Sequence, residues 1–451
     1  MKRTLIKDSP QKVGTEITVA GWIQTVRKHG KIAFFDVYDR SGLLQVVATA
    51  PEVLETVNKL EQRAAVRVTG TLKQRGEKYI NPDLLTGTVE MESSEVEIIS
   101  LPDTLPFDMG GKELKLELPT LLDYRSLTLK HETQRDIFII QAAIAEEFRN
   151  AAKALDCIEI FVPTIVAGAT EGGAEVFSVD YFDRKAYMSQ SPQLYKQMMV
   201  GVFERVFTIA KAYRAEPSVT TRHLTEATQM DVEIAFIESF DELLDALEFV
   251  GTTVIAKVAE RYPKILEAFG VEKPLTSNVP RLTLREAQEI VTKRTGRDLS
   301  KEKDLNPEDE KEICLWAKEE KQSDFVTITH FPMEKKPFYT HPDPESTEYS
   351  LSYDLLFRGL EVLSGSRRVD NYDLLVKQMK DKKVDPDSFR MYLMAFKYGM
   401  PPEGGFSFGL ERLTMKLLEL SNVREASLFP RDMERIDERF SKIADNTSDK
   451  K

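Results

Sequence analysis

The stretch YRAEPSVTTRHLTEATQMDVE, residues 213–233, sets two arginines, a histidine and a run of carboxylates between two strand-like runs, RVFTIAKAYRAE and EATQMDVEIAFI. Side chains two apart on a strand share a face, so Arg214 and Glu216 are expected to point one way, as are Gln229, Asp231 and Glu233. Such a charged floor is either a solvated sheet face with cross-strand ion pairs or a seat for an anion. Guanidinium pairs bidentately with phosphate oxygens, and Arg222 with His223 could reach over the floor toward one. A second constellation lies in SLSYDLLFRGLEVLSGSRRVD. If the chain reverses near Phe357 and Arg358, Asp354 and Glu361 lie on neighbouring strands with a shared face. Two facing carboxylates repel unless a cation lies between them, and Mg²⁺, with its preference for oxygen ligands and phosphate partners, fits that role. Arg367 and Arg368 follow at once. In GGFSFGLERLTMKLLEL, glycines lead into an amphipathic helix with Arg412 in its first turn, where backbone N–H groups already favour an anion. TEGGAEVF and MSQSPQLYKQMM add Glu171, Gln193 and Lys196: a carboxylate able to hold an ammonium, and an ammonium able to hold a carboxylate. Neither GxxxxGK[ST], GxGxxG nor GxSxG occurs, so a bound nucleotide would be held without a P-loop or a Rossmann turn.

The elements that must position these groups fall into two parts. Up to about residue 100, short alternating apolar runs separated by turn residues read as five or so strands, interrupted by one helical segment, PEVLETVNKLEQR. That pattern suits an OB-fold barrel, and an SH3-like barrel reads similarly. LPDTLPFDMGGKELKLELPT, rich in Pro and Gly, reads as a linker over 101–125. Beyond it come a long helix at about 131–155, an apolar strand IEIFVPTIV, and strands and helices without a regular βαβ beat, ending in a helix at 408–420. The expectation is an α+β chain: a barrel over 1–100, then a domain over 126–438 built on an antiparallel sheet flanked by helices, and a disordered polar tail over 439–451.

The chain has 451 residues, a net charge of -12 and two cysteines. Two domains are expected at this length. The acidity argues against a general polyanion binder, and because residues 1–100 are close to neutral, the barrel is the better seat for a nucleic acid. With no run of about 20 apolar residues and no apolar centre near the start, no membrane partner is expected and the location is read as cytoplasmic. Cys157 and Cys314 form neither a CxxC nor a Cys/His cluster, so neither a disulfide framework nor zinc is encoded.

Taken together, the motif segments resemble the three signature motifs of class II aminoacyl-tRNA synthetases, in chain order, over about residues 15–432. IEIFVPTIV resembles the first, whose proline, here Pro163, lies at the dimer interface in that family and implies a homodimer. The stretch 213–233 resembles the second motif and GGFSFGLERL the third. GWIQTVRKHGKIAFFDV is similar to the anticodon barrel of the aspartate, asparagine and lysine subgroup, and QSPQLYKQ to the aspartyl-tRNA synthetases within it, in the compact archaeal and eukaryotic form without the bacterial insertion.

The resemblance implies ATP and Mg²⁺, L-aspartate, and tRNA(Asp), with tRNA(Asn) open as a second acceptor and no DNA partner. It assigns Arg214 to the α-phosphate and the attacking carboxylate, Glu216 to the adenine amino group, and Arg222, His223, Leu224, Gly409 and Arg412 to the rest of the nucleotide. Glu361, with Asp354 and Ser364, would take Mg²⁺. Lys196 and Arg368 would bind the side-chain carboxylate of aspartate, and Glu171, Gln193 and Asp231 its ammonium side. On the barrel, Phe34 would stack on an anticodon base beside Arg27, Gln45 and Glu90, with Phe35 turned into the core. Three positions depart from the family pattern: Tyr38 replaces an arginine, Ala227 an aromatic, and Asp370 a histidine. Gln24, beside Trp22, lies near the positions that set tRNA breadth in the family. Asp370 keeps an asparaginyl enzyme as the rival reading. A paralogue working as a free amidating or adenylating enzyme, or binding RNA without charging it, is the other.

Overall fold

The computed structural model describes residues 2–82, 84–111, 113–168, 176–216 and 219–440. The chain divides between Lys115 and Leu116 into two compact units.

In the first unit, strands β1 (Glu16–His29), β2 (Ile32–Asp39), β3 (Gly42–Ala48), β4 (Ala65–Gln74) and β5 (Val89–Ser100) close a barrel in the order β1-β2-β3-β5-β4, with helix α1 (Pro51–Val57) between β3 and β4. Period-two alternation builds it: Phe35 and Val37 are fully buried, whereas Phe34 and Tyr38 on the other face are half-buried. Side chains of Ile17, Val19, Leu44, Val46, Val66 and Val68 complete the core, each contributing about 1.5–3 kcal/mol on burial.

In the second unit, part of the linker expected over 101–125 is helical: α2 (Leu118–Asp123) and α3 (Arg125–Thr128) precede the long α4 (Glu132–Ala154). Pro119 in the first turn of α2 costs no hydrogen bond there. The expected continuous strand IEIFVPTIV is instead two short pieces, β6 (Ile158–Glu159) and β7 (Ile165–Val166). Phe161 between them is 89% exposed, and Pro163 has no N–H to give a ladder. β7 joins β8 (Ser178–Tyr181) and β9 (Arg184–Met188) in a small sheet.

The main sheet adds β10 (Arg205–Tyr213), β11 (Glu226–Ala235), β12 (Arg281–Thr283), β13 (Phe325–Thr329), β14 (Ser352–Phe357), β15 (Glu361–Arg367) and β16 (Glu403–Gly409), ordered β12-β13-β14-β15-β16-β11-β10-β6. Its centre is antiparallel as expected, but both outermost pairs, β12 with β13 and β6 with β10, are parallel. The remaining helices are α5 (Gln193–Phe203), α6 (Phe240–Arg261), α7 (Pro263–Ala268), α8 (Leu284–Thr295), α9 (Pro307–Trp316), α10 (Tyr372–Asp381), α11 (Arg390–Lys397) and α12 (Leu410–Leu417).

One face of the main sheet is apolar. Phe207, Met230, Val232, Leu355, Leu363, Phe406 and Phe408 pack against Ile140, Ile144 and Phe148 of α4 and Leu243, Leu247 and Val250 of α6. The same alternation turns Gln229, Asp231, Glu233, Ser364, Ser366 and Ser407 to the opposite face. Among the described residues, no helix is long and apolar enough to cross a membrane. Both cysteines are buried and free, and burial pushes each thiol up to about 12, so they stay protonated.

Candidate active site

Over the polar face of the sheet lies a cavity of about 270 Å³, lined by Gln193, Lys196, Arg214, Glu216, Arg222, His223, Leu224, Asp231, Glu361, Ser364, Arg368, Gly409 and Arg412. Three separated stretches of sequence meet there because β11, β16 and β15 are adjacent in the sheet, with Asp231 opposite Ser407 and Ser407 opposite Ser364. The charged floor is therefore buried and not a solvated face. Glu171 lies outside the described residues.

At the closed end, Lys196 projects from α5 and is 1% exposed. Its Nζ donates to Asp231 Oδ1 at 2.8 Å and to the Phe406 carbonyl at 3.3 Å, and lies 3.0 Å from Glu233 Oε2. Arg368, also buried, donates from Nε to Glu233 Oε1 at 2.7 Å, and from Nη2 to Gln193 Oε1 at 3.3 Å and to the Gly405 carbonyl at 2.9 Å. Two buried cations thus face two buried carboxylates, an arrangement that low dielectric demands. Burial pushes Asp231 above the usual carboxylate range against the opposing pull of Lys196 and Ser407. Burial acts upward on Glu233 too, but Arg368 and Lys196 together outweigh it and hold Glu233 below that range. Behind them Glu403, fully buried, accepts from Gln197 Nε2 at 2.9 Å, and burial, reinforced by Glu233, pushes its carboxyl well above the usual carboxylate range. Asp370 lines no part of the cavity; its field acts on His341.

Gln229, which shares the period-two floor with Asp231 and Glu233, also lines the cavity. Among the described residues, the buried Oε1 of Gln229 has no hydrogen-bond partner, nor has Nε2 of Gln193. A buried acceptor and a buried donor left open beside a cavity are groups that a ligand would satisfy.

The glycines ahead of α12 have a packing role instead of forming a phosphate turn. They belong to β16, and a Cβ on Gly405 would stand 2.2 Å from both Glu233 Oε2 and the Val232 carbonyl. Gly409, the N-cap of α12, meets nothing closer than 3.6 Å. Gly405→Ala is expected to cost about 3 kcal/mol in urea unfolding, against under about 1 kcal/mol for Gly409→Ala. Equal losses for the two variants would refute this reading.

At the open end, β10 stops at Tyr213, so Arg214 and Glu216 follow the strand instead of sharing its face. The Arg214 N–H still donates to the Thr225 carbonyl at 2.9 Å. Its guanidinium forms no ion pair among the described residues. His223 Nδ1 lies 2.8 Å from Thr220 Oγ1 and 3.7 Å from Glu216 Oε2. Burial, aided by Arg412, Arg214 and Arg222 and opposed by Glu216, lowers its pKa and favours neutral imidazole. Arg412 donates from Nε to the Arg222 carbonyl at 3.3 Å and from Nη1 to the Glu361 carbonyl at 3.2 Å.

The expected reversal occurs at 358–360 and sets Asp354 opposite Ser364, with a bulge at Val362, just after Glu361. Asp354 is buried, and its Oδ1 has no hydrogen-bond donor among the described residues; Lys336 Nζ lies 3.8 Å away. Burial pushes its carboxyl up to about 7, with Lys336 opposing and Glu361 adding repulsion. A buried carboxylate oxygen without a donor, a second carboxylate and a hydroxyl form an oxygen set that fits a divalent cation shared with phosphate. Lys336, in a loop far from the motifs, carried no sequence signal for this role.

On the barrel, Arg27 donates from Nη1 to Asp36 Oδ2 at 3.1 Å and from Nη2 to Gln45 Oε1 at 3.4 Å, and Gln45 Nε2 donates to Glu90 Oε2 at 3.1 Å. This polar row runs beside the half-buried Phe34 ring. Tyr38 receives a guanidinium from elsewhere: Arg63 Nη1 donates to its hydroxyl at 2.8 Å and reaches Gln24 Oε1 at 3.3 Å.

Family models match both parts. Residues 117–433 fit the class II tRNA synthetases (D, K and N), and residues 17–99 the OB-fold nucleic acid binding domain. An aspartate–tRNA(Asp/Asn) ligase from Aeropyrum pernix is 38% identical over 96% of this chain and 98% of its own length. An aspartate–tRNA(Asp) ligase from Pyrococcus horikoshii is 39% identical over 94% and 96%. Among solved structures, asparaginyl-tRNA synthetase from Pyrococcus horikoshii with asparaginyl-adenylate superposes with a TM-score of 0.88 at 28% identity, covering 97% of this chain and 99% of that one. Aspartyl tRNA synthetase from Entamoeba histolytica gives 0.86 at 28% identity, covering 97% and 93%. A cavity built where the β11, β15 and β16 stretches meet, full-length relatives at this identity and a matched barrel lead to one family: the chain belongs to the class II tRNA synthetases of the aspartate, lysine and asparagine group.

Proposed function

We propose that this enzyme is an aspartate–tRNA ligase, and that Lys196 and Arg368 select the side-chain carboxylate of L-aspartate. The observation that carries the reading is this pair of buried cations at the closed end of the cavity. An aspartate carboxylate would accept charge-assisted hydrogen bonds from both, which a neutral asparagine amide accepts only weakly. Asp370, the residue behind the asparaginyl rival, lies outside the cavity lining.

In the first step a carboxylate oxygen of aspartate attacks the α-phosphorus of ATP in line, and pyrophosphate leaves. In the second the terminal 3′-hydroxyl of tRNA attacks the acyl carbon and AMP leaves. No protein nucleophile is used; catalysis is by position and charge. Arg214 stabilises the charge at phosphorus, Arg222 and Arg412 draw the outer phosphates, neutral His223 stays close to them without adding charge, and Glu216 accepts from the adenine amino group. Gln193 and Gln229 offer their open amide groups to the substrate's backbone end, with Asp231 beneath. Glu361 and Asp354, with Ser364, would hold Mg²⁺, which would supply charge neutralisation on the polyphosphate.

The test is charging of tRNA(Asp) and tRNA(Asn) transcripts with radiolabelled aspartate or asparagine. Aspartate on tRNA(Asp) is the expected product, and charging of asparagine would overturn the reading. The A. pernix and P. horikoshii relatives differ in the acceptors their names carry, so the tRNA(Asn) lane decides the acceptor range.

Phe34→Ala is expected to weaken tRNA binding by about 1–3 kcal/mol, the worth of one stacked base, while pyrophosphate exchange without tRNA is unchanged. Equal tRNA affinity in filter binding would remove Phe34 from the interface. A cytoplasmic homodimer completes the proposal. Phe161, two residues from Pro163, is 89% exposed, an apolar side chain suited to burial against a second copy. Phe161→Asp should shift the mass found by light scattering from dimer toward monomer, and a monomeric wild type would refute the pairing.

A further inference from the structure

Glu310 belongs to none of the motif segments and lines no part of the cavity, yet two groups of the cavity rim end on it. Its carboxylate pairs with both terminal nitrogens of Arg222, Nη2 with Oε2 and Nη1 with Oε1 at 3.4 Å. The same Oε2 accepts the Glu361 backbone N–H at 3.2 Å. Arg222 comes from the loop after β10 and Glu361 from the first position of β15, so one side chain ties together two segments about 140 residues apart in sequence. A charge-assisted fork of this kind fixes direction as well as distance.

The helix that carries Glu310 is itself pinned. Asn306 caps α9, accepting from the backbone N–H groups of Glu308 and Asp309, while Asp309 returns a bond to the Asn306 N–H and takes Arg297 at 2.6 Å. Glu310 is 8% exposed. A carboxylate so placed would be costly without its guanidinium, and Arg222 without it would be a free side chain on a loop. Arg412 closes the ring, donating to the carbonyls of both Arg222 and Glu361.

We infer that Glu310 is a positioning residue for the nucleotide: it holds Arg222 and the Glu361 main chain at a fixed mutual placement, so that the polyphosphate and its cation meet both at once. This rests on the assignment of Arg222 and Glu361 to ATP made above. The aspartate end of the cavity, built on α5, β11 and Arg368, has no bond to Glu310.

The test is pyrophosphate exchange by the full chain with ATP and aspartate varied separately. Glu310→Ala should raise KM for ATP about tenfold and leave KM for aspartate within about twofold. Glu310→Gln, which keeps an acceptor for the Glu361 N–H and loses the ion pair, should fall between it and wild type. In an Arg222→Ala background, Glu310→Ala should add less than about threefold, because its effect already passes through the missing guanidinium. A parallel rise in both KM values, or a full tenfold effect in the Arg222→Ala background, would overturn the inference. If Arg222→Ala raises KM for ATP and neither Glu310 variant does, the positioning role fails alone. If Arg222→Ala leaves KM for ATP unchanged, the nucleotide assignment fails and takes the inference with it.

Discussion

Replacing Arg214 by alanine should lower aspartate-dependent pyrophosphate exchange by at least about a thousandfold, with the unfolding midpoint close to that of wild type. The two halves of this expectation have separate grounds. Arg214 lines the cavity and pairs with no carboxylate among the described residues, so its removal leaves no buried charge exposed. Its fold contribution is the backbone bond to Thr225, which alanine keeps. The rate loss follows from where charge grows during adenylation. The attacking carboxylate and the α-phosphate both carry negative charge into a crowded phosphorus centre, and a fixed fork donating to both stabilises that state more than it does the bound substrates. Loss of one such donor costs about 10²–10³-fold, and loss of an arginine at a transferring phosphoryl group about 10³–10⁵-fold. Arg214→Lys should recover part of the charge and little of the geometry, staying at least about a hundredfold slow, because an ammonium is a point donor without the planar fork. Exchange by the alanine variant within tenfold of wild type would remove Arg214 from the chemistry.

Much of this site was legible because strands write their faces in alternate residues. Gln229, Asp231 and Glu233 share a face in the sequence pattern and in the sheet, and Phe34 and Phe35 divide between surface and core as their spacing requires. What alternation cannot give is the third dimension. That Lys196 ends on Asp231 and Glu233 depends on α5 packing over β11, and that Arg222 ends on Glu310 depends on α9, more than eighty residues further along. Neither pairing leaves a local trace, since a lysine or glutamate on an amphipathic helix reads as an ordinary solvated residue. The packing role of the glycines before α12 has no sequence signal for a similar reason. A glycine needed for close approach of strands looks the same as one needed for a phosphate turn, and only the 2.2 Å gap to the Val232 carbonyl separates the two. IEIFVPTIV reads as one strand from its apolar run, but apolar character records burial in any partner, and Phe161 is exposed in the single chain.

The largest change in specificity is expected from Lys196→Met, which keeps much of the side-chain volume and removes the charge. Two effects must be distinguished. The first is on folding. Asp231 and Glu233 lose a shared cation in a buried site; among the described residues Glu233 retains Arg368, and Asp231 retains the Ser407 hydroxyl at 3.0 Å and no cation. Breaking a buried pair from one side costs about 3–5 kcal/mol. The cost depends on pH. Burial already raises Asp231 above its ordinary value while Lys196 pulls it down, so without Lys196 the folded-state value rises further. A group whose value is higher folded than unfolded supports the fold below its unfolded value and loses that support as pH rises toward the folded one. The deficit relative to wild type should therefore be smaller at pH 5 than at pH 8, and a deficit that grows on acidification would contradict the assignment of Asp231 as the orphaned partner. The second effect is on the substrate. An aspartate side chain would meet Arg368 alone, and the loss of one charge-assisted bond of about 1.5–3 kcal/mol should raise KM for aspartate about 10- to 150-fold, with KM for ATP unchanged. Asparagine, which draws less from an ammonium, should lose less, so the preference for aspartate narrows. If KM for both amino acids rose equally, Lys196 would be a structural support of the floor, and the choice of aspartate would have to rest on Arg368.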